Sequence, residues 1–203
     1  MKNNNAIMQS ILTAMCICLL FLISMFGYHW WYDNFVEPPS ATLSLGGDFS
    51  LTSHTGETVH STDFKGKIRM IYFGYVFCPD ICPLSLQLMT TALEKLGPKE
   101  DQIQPLFITI DPMRDTVAIL RDYVGHFHPR LIALTGSKEE IEAISQAFKV
   151  YVQPIPASKL GYPYLIDHSS FIYIMDENGK YLQHFHHTSP VEDVVHYLKH
   201  VAK

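Results

Sequence analysis

The sequence predicts an α/β domain, a three-layer sandwich on a mixed sheet, preceded by a single transmembrane helix. Three observations carry that prediction. Residues Ala6 to Tyr28 hold no formal charge and are mostly apolar, about the length an α-helix needs to cross a bilayer. From Lys67 onward, β-rich apolar runs alternate with segments of helical spacing, the pattern of parallel strands joined by helices. Near the end, two strand-like runs flank Asn178-Gly179, a step that favours a tight turn and hence an antiparallel hairpin.

The chain has 203 residues, 47% of them apolar and only 17% charged, so it can bury one ordinary core and has no bias toward disorder. A net charge of −5 supplies no basic field for phosphate backbones, and nucleic acid is not an expected partner.

The apolar run is preceded by Lys2 and followed by Tyr28, Trp30, Trp31 and Tyr32, an aromatic cluster suited to the headgroup zone. It reads as one span over 6–28, with residues 1–5 in the cytoplasm. A cleaved signal peptide would have a shorter apolar run closed by a small-x-small site. A mitochondrial presequence would be rich in Arg, whereas the first Arg here is Arg69. The expectation is a bacterial inner-membrane protein, single-pass, with its soluble domain in the periplasm. Cys16 and Cys18 lie inside the span and read as small apolar residues facing lipid.

Residues 29–47 read as a linker stiffened by Pro38 and Pro39 and closed by Gly46-Gly47; the folded domain is assigned to 48–203. Alternating runs about a His-Thr-Gly turn in DFSLTSHTGETVHSTDF predict a leading hairpin. IRMIYFGYVF is the first strand of the regular pattern, and PLSLQLMTTALEKLG a helix ended by Gly97 and Pro98. QPLFITI follows as a strand, Asp115 is positioned to cap a helix reaching about Phe127, and LIALTG is a further strand. Ser137 with Glu140 forms a capping box for SKEEIEAISQAF, whose Ile141, Ile144, Ala147 and Phe148 recur at core spacing. SFIYIMD and KYLQHFH make the hairpin, and a last helix starts near Pro190. After the leading hairpin the order is β-α-β-α-β-α-β-β-α, that of a thioredoxin-like fold.

Cys78 and Cys82, in YVFCPDICPLS, fall where a buried strand ends and a helix starts, the usual place for a site in open α/β sheets. Pro83 suits a first helical position, so the helix is expected to begin there with Cys82 as its cap and Cys78 on the loop. Free N–H groups at a helix start favour thiolate, the form needed both for nucleophilic attack and for holding a soft metal. A structural disulfide is the plainer alternative. Three residues separate the two sulfurs, one more than in C-x-x-C redox loops; paired thiolates with an imidazole would satisfy copper, as Cu(I) or Cu(II). Among eleven histidines, His168 lies just before a buried strand, where thioredoxins place a proline facing the cysteines.

YFGYVFCPDICPLSL, ITIDPMRDT and DHSSFIYIMD, in this order, resemble the signatures of the SCO/SenC family, and the likeness runs from about Gly46 to the end. The resemblance implies that Cys78, Cys82 and His168 are copper ligands. It implies a metallochaperone that delivers copper, or maintains thiols, for the dinuclear copper centre of cytochrome c oxidase subunit II, alongside another copper chaperone or a thiol reductase. The family's common Asp-Thr-Pro is Asp115-Thr116-Val117 here, a change that leaves the ligands untouched.

Asp111 and Arg114 sit at a strand end where they could brace the metal loop, and they equally suit a plain turn and cap. Asp80 could tune the thiolates or merely face water. His184, His186 and His187 cluster in LQHFHHTS, with His184 and His186 on one strand face; they read as a solvated edge, and the resemblance gives them no role. Two other readings stand beside the metallochaperone. One is an enzyme, a periplasmic thiol-disulfide oxidoreductase or thiol peroxidase with Cys78 attacking and Cys82 resolving, which needs no His168. The other is a redox sensor.

Overall fold

The computed structural model describes residues 2–35 and 45–202. The chain divides into two compact units, Met1–Leu43 and Ser44–Lys203.

Among the described residues the first unit is one helix, α1 (Lys2–Phe35). Within it Ile11–Trp31 is an uncharged stretch of 21 residues, about 31 Å at 1.5 Å per residue, so one helix is long and apolar enough to cross a membrane. Its apolar side chains point outward, Phe26 with 78% of its surface exposed. The helix continues through Asp33 into the segment assigned above to the linker, because nothing breaks it before Pro38. The rest of that linker, 36–44, lies outside the described residues.

The second unit opens with the hairpin β1 (Ser50–Ser53) and β2 (Thr58–His60). Then come β3 (Ile68–Gly74), α2 (Ile81–Leu96), β4 (Ile103–Thr109), α3 (Val117–Val124), β5 (Ile132–Thr135) and α4 (Lys138–Ala147). A small antiparallel pair, β6 (Val152–Pro156) and β7 (Tyr164–His168), follows, then β8 (Phe171–Met175), β9 (Tyr181–His186) and α5 (Val191–Val201). The main sheet runs β2-β1-β5-β4-β3-β8-β9. Strands β3, β4 and β5 are parallel, and β1, β8 and β9 join antiparallel. This is the mixed sheet the sequence predicts, with helices covering it and β3 near its centre.

All seven positions of β3 are buried, as a strand covered on both faces requires. Its carboxyl end delivers the chain into the 75–80 loop and then α2. The capping box at α4 forms as expected, Ser137 Oγ accepting from Glu140 N while Glu140 accepts from Ser137 N. At the β8–β9 turn Asp176 Oδ1 accepts from the backbone N–H of Asn178 and Lys180, and Gly179 takes φ +86°, a conformation glycine adopts without strain.

Three expectations change. α2 begins at Ile81 with Asp80 as N-cap, so Cys82 is inside the first turn rather than capping it. Pro83 costs no hydrogen bond there, because the first four N–H groups of a helix lack intrahelical acceptors. α3 is capped by Thr116, whose hydroxyl accepts from Ile119 N, and ends at Val124. Asp115 instead turns inward. The β6–β7 pair has no counterpart in the predicted order.

Asp115 is completely buried. Its Oδ2 accepts from Thr109 Oγ1 at 2.6 Å and from Val76 N at 3.0 Å, tying the cysteine loop to the end of β4. Burial pushes its carboxyl up to about 6 against the two hydrogen bonds that favour the charged form. Between an unfolded value near 3.8 and about 6 the folded chain binds the extra proton, so this group's contribution falls as pH rises through that window, by roughly 3 kcal/mol in all. Asp115→Asn, which mimics the protonated form, is therefore expected to be better tolerated at pH 7 than at pH 4.5. Urea unfolding at both values checks this; the reverse order would contradict it.

Candidate functional site

Cys78, Cys82 and His168 converge where β3 ends. One sulfur from each cysteine and one ring nitrogen of the histidine all lie within 4.8 Å of one another. Cys82 is fully buried, Cys78 half-buried, and both are free thiols in this structure, as are Cys16 and Cys18. Cys82 Sγ is 3.5 Å from His168 Nε2 and receives the Tyr72 hydroxyl at 3.6 Å.

Each side chain has a positioning cause. Cys78 follows a turn in which its own N–H donates to Tyr75 O at 3.3 Å, while Cys82 is fixed by α2. His168 ends β7 at register with Val152 of β6, so the unanticipated hairpin carries it across to the cysteines. Its Nδ1 lies 2.9 Å from Ser169 O; a carbonyl only accepts, so Nδ1 carries a proton, and it is Nε2 that faces the sulfurs. Tyr72 and Tyr75 hold the ring edge-on, with centroids at 6.4 and 5.8 Å.

Gly74 completes the fit. A Cβ there would stand 2.8 Å from Cys82 Sγ, 2.8 Å from Tyr72 Cε1 and 3.1 Å from Phe107 Cε2. Only hydrogen lets the buried sulfur pack against the strand end.

Asp111 and Arg114 do brace the site. Arg114 Nε donates to Asp111, its Nη1 donates to Tyr164 O at 3.0 Å, and its guanidinium lies 3.7 Å above the Tyr164 ring. The Tyr164 hydroxyl returns to Asp111 Oδ1 at 2.8 Å, and the Tyr75 hydroxyl accepts from Ile166 N at 3.1 Å. These bonds clamp β7, hence His168, to the ends of β3 and β4. Arg114 also covers Phe77, the residue before Cys78, at 5.2 Å.

The electrostatics split the two thiols. A hydrogen bond from Cys82 comes first among the causes that bring Cys78 down to about 3, helped by His168 and by the backbone N–H groups of Asp80 and Cys82. Burial, followed by the hydrogen bond to Cys78, drives Cys82 up. The pair thus shares one proton, held on the buried sulfur and directed at the exposed thiolate. The helix start favours only the sulfur that precedes it. The rate of Cys78 alkylation in the full chain is accordingly expected to stay flat from pH 5 to 8. In Cys82→Ala it should climb about tenfold per pH unit below the thiol's ordinary value. Parallel profiles for the two proteins would contradict the shared-proton picture.

A profile of the SCO1/SenC family matches residues 37–203. The chain belongs to the SCO1/SenC family. Among its relatives, an SCO2-like protein of Rickettsia felis is 44% identical over 157 residues, 77% of each chain. Protein sco1 of Schizosaccharomyces pombe is 43% identical over 152 residues, 74% of this chain and 58% of that one. Bradyrhizobium japonicum ScoI, solved with copper bound, superposes with a TM-score of 0.71 at 36% identity, covering 77% of this chain and 99% of that one. Yeast Sco1 with copper bound gives a TM-score of 0.67 at 38% identity over 77% and 89% of the two chains. The thioredoxin-like fold follows from these superpositions.

For this SCO1/SenC chain the sequence had pointed to the three converging residues and to Asp111 and Arg114. It had not pointed to Tyr72, Tyr75, Asp115 or Tyr164. The tyrosines and Gly74 do form a signal in the strand end, YFGY, where two hydroxyl-bearing aromatics flank a glycine at the mouth of a buried strand. His184, His186 and His187 are not among the converging ligand atoms.

Proposed function

We propose that this protein binds copper through Cys78, Cys82 and His168 and serves the assembly of the dinuclear copper centre of cytochrome c oxidase, with subunit II as its partner. One observation carries the reading: two sulfurs and a ring nitrogen within 4.8 Å, contributed by a loop, a helix and a strand remote in sequence. The donor set fits. Two sulfurs suit Cu(I), and sulfur with an imidazole lone pair suits Cu(II) as well. The copper-bound relatives and the family's place in oxidase assembly support the same choice.

The chain's residues divide the work of holding such a cargo. Cys78 offers a half-exposed thiolate that an incoming partner can reach. Cys82 gives up its proton on loading, so loading is linked to pH and needs both sulfurs reduced. His168 presents Nε2 from a strand clamped by Arg114 and Tyr164. In the same reading the helix over 6–28 anchors the chain in a bacterial inner membrane, and the 48–203 domain works in the periplasm beside it.

Anaerobic titration of the reduced full chain in detergent tests this. About one copper per chain is expected, with sulfur-to-copper absorption for Cu(II) that vanishes in Cys78→Ser and Cys82→Ser. Failure of the native chain to bind would leave a second reading, which the unequal thiols favour. In thiol-disulfide exchange the Cys78 thiolate attacks a partner disulfide and expels one partner thiolate. Cys82 then attacks the mixed disulfide, its proton passing to a departing sulfur, to leave a Cys78–Cys82 disulfide and a reduced partner.

A further inference from the structure

Behind the paired sulfurs stands a tyrosine whose hydroxyl is aimed at the buried one. Tyr72 belongs to β3, opposite Phe107 of β4 and Ile172 of β8 in the sheet register, and is fully buried. Its ring stacks on Phe107, with centroids at 6.3 Å and planes 19° apart, and meets the His168 ring edge-on at 6.4 Å. Alternation along β3 puts Tyr72 and Gly74 on the face that meets Cys82, while Phe73 points the other way, against Phe148 and Tyr173. Packed in this way, the hydroxyl cannot turn to water; it donates to Cys82 Sγ at 3.6 Å.

That bond differs in worth between the two states of the cysteine pair. With both sulfurs reduced, as in this structure, Cys82 Sγ accepts as a thiol, and more strongly as a thiolate. In a Cys78–Cys82 disulfide the same sulfur can carry no charge and is the poorer acceptor. A buried hydroxyl whose acceptor weakens has no water to replace it, so the cost falls on the disulfide.

We infer that the Tyr72 hydroxyl biases the Cys78–Cys82 pair toward its reduced form, the state that can take up a metal or attack a disulfide. Oxidation works against this bias. Closing the Cys78–Cys82 bond removes two electrons and the one shared proton, and a partner disulfide takes them up by splitting into a thiol and a thiolate. The inference deepens the site described above and rests on both cysteines being exchangeable thiols, not on copper as the cargo.

The test uses the full chain in detergent, free of metal, with Cys16→Ala and Cys18→Ala so that only the site pair reports, equilibrated against reduced and oxidised glutathione. Tyr72→Phe keeps the ring and removes the hydroxyl. It is expected to shift the equilibrium about fivefold toward the disulfide, the worth of one ordinary hydrogen bond, or roughly 20 mV to lower potential. Tyr173→Phe, the same change on the opposite face of the sheet, should leave the equilibrium in place. Urea unfolding of both redox forms distinguishes the bias from general loosening, since Tyr72→Phe should cost the reduced form more stability than the oxidised one. An unshifted equilibrium, an equal shift in Tyr173→Phe, or equal stability losses in the two forms overturns the inference. With no metal present, the result is independent of whether the native chain binds copper, so failure here and failure of the copper reading are told apart.

Discussion

His168→Ala is expected to lower copper affinity by more than the roughly 10–100-fold that loss of a ligand's supporting partner costs, since on the proposed reading the ligand itself is removed. Little else should change. The side chain is half-exposed, its one backbone partner is the neighbouring Ser169 carbonyl at 2.9 Å, and truncation leaves no buried charge unpaired. Thermal unfolding of the metal-free chain should therefore shift only slightly, and exchange of the Cys78 and Cys82 thiols with a small disulfide should continue. Competition titration against a copper chelator, run beside a thiol-exchange assay, separates the two functional readings. Unchanged copper affinity would remove His168 from the ligand set, and lost thiol exchange would show that the ring does more than hold metal.

The second large effect is expected at a residue with no functional group. Gly74→Ala would place a methyl 2.8 Å from Cys82 Sγ and 2.8 Å from the Tyr72 ring, inside any real contact distance. Both neighbours are fully buried, and Phe107 closes the third side. Relief must come from moving β3 or the sulfur. Overpacking of this kind costs about 1–3 kcal/mol, and a displaced sulfur should also lower copper affinity on the order of tenfold, as other disturbances of ligand support do. Urea unfolding and copper competition on the same variant measure both. A stable protein with native affinity would mean that α2 can withdraw freely from the strand end.

Most regular elements were legible because their causes are local. β3, β4 and β8 announce themselves as apolar runs that only a sheet covered on both faces can absorb, and Ser137 with Glu140 states where α4 starts. The β6–β7 pair was not legible: Pro154 and Pro156 remove strand donors, and most of β6 is exposed, so neither periodicity nor propensity marks it. Its stability comes from Arg114, Asp111 and Tyr75, residues distant in sequence. Asp115 was misread for a related reason. In sequence an acid before a helical run looks like a cap, and only the packing of the cysteine loop against β4 turns it inward.

By itself the sequence determined the order of the main-sheet strands and the helices, the uncharged helix and the presence of two cysteines at a strand-to-helix junction, because these depend on side-chain period, charge and spacing along the chain. Tertiary structure alone decided which strand pair carries His168 to the sulfurs, which sulfur keeps the proton and which glycine admits Cys82. Those outcomes depend on distances between groups brought together from opposite ends of the domain, and on the burial that folding imposes once they meet.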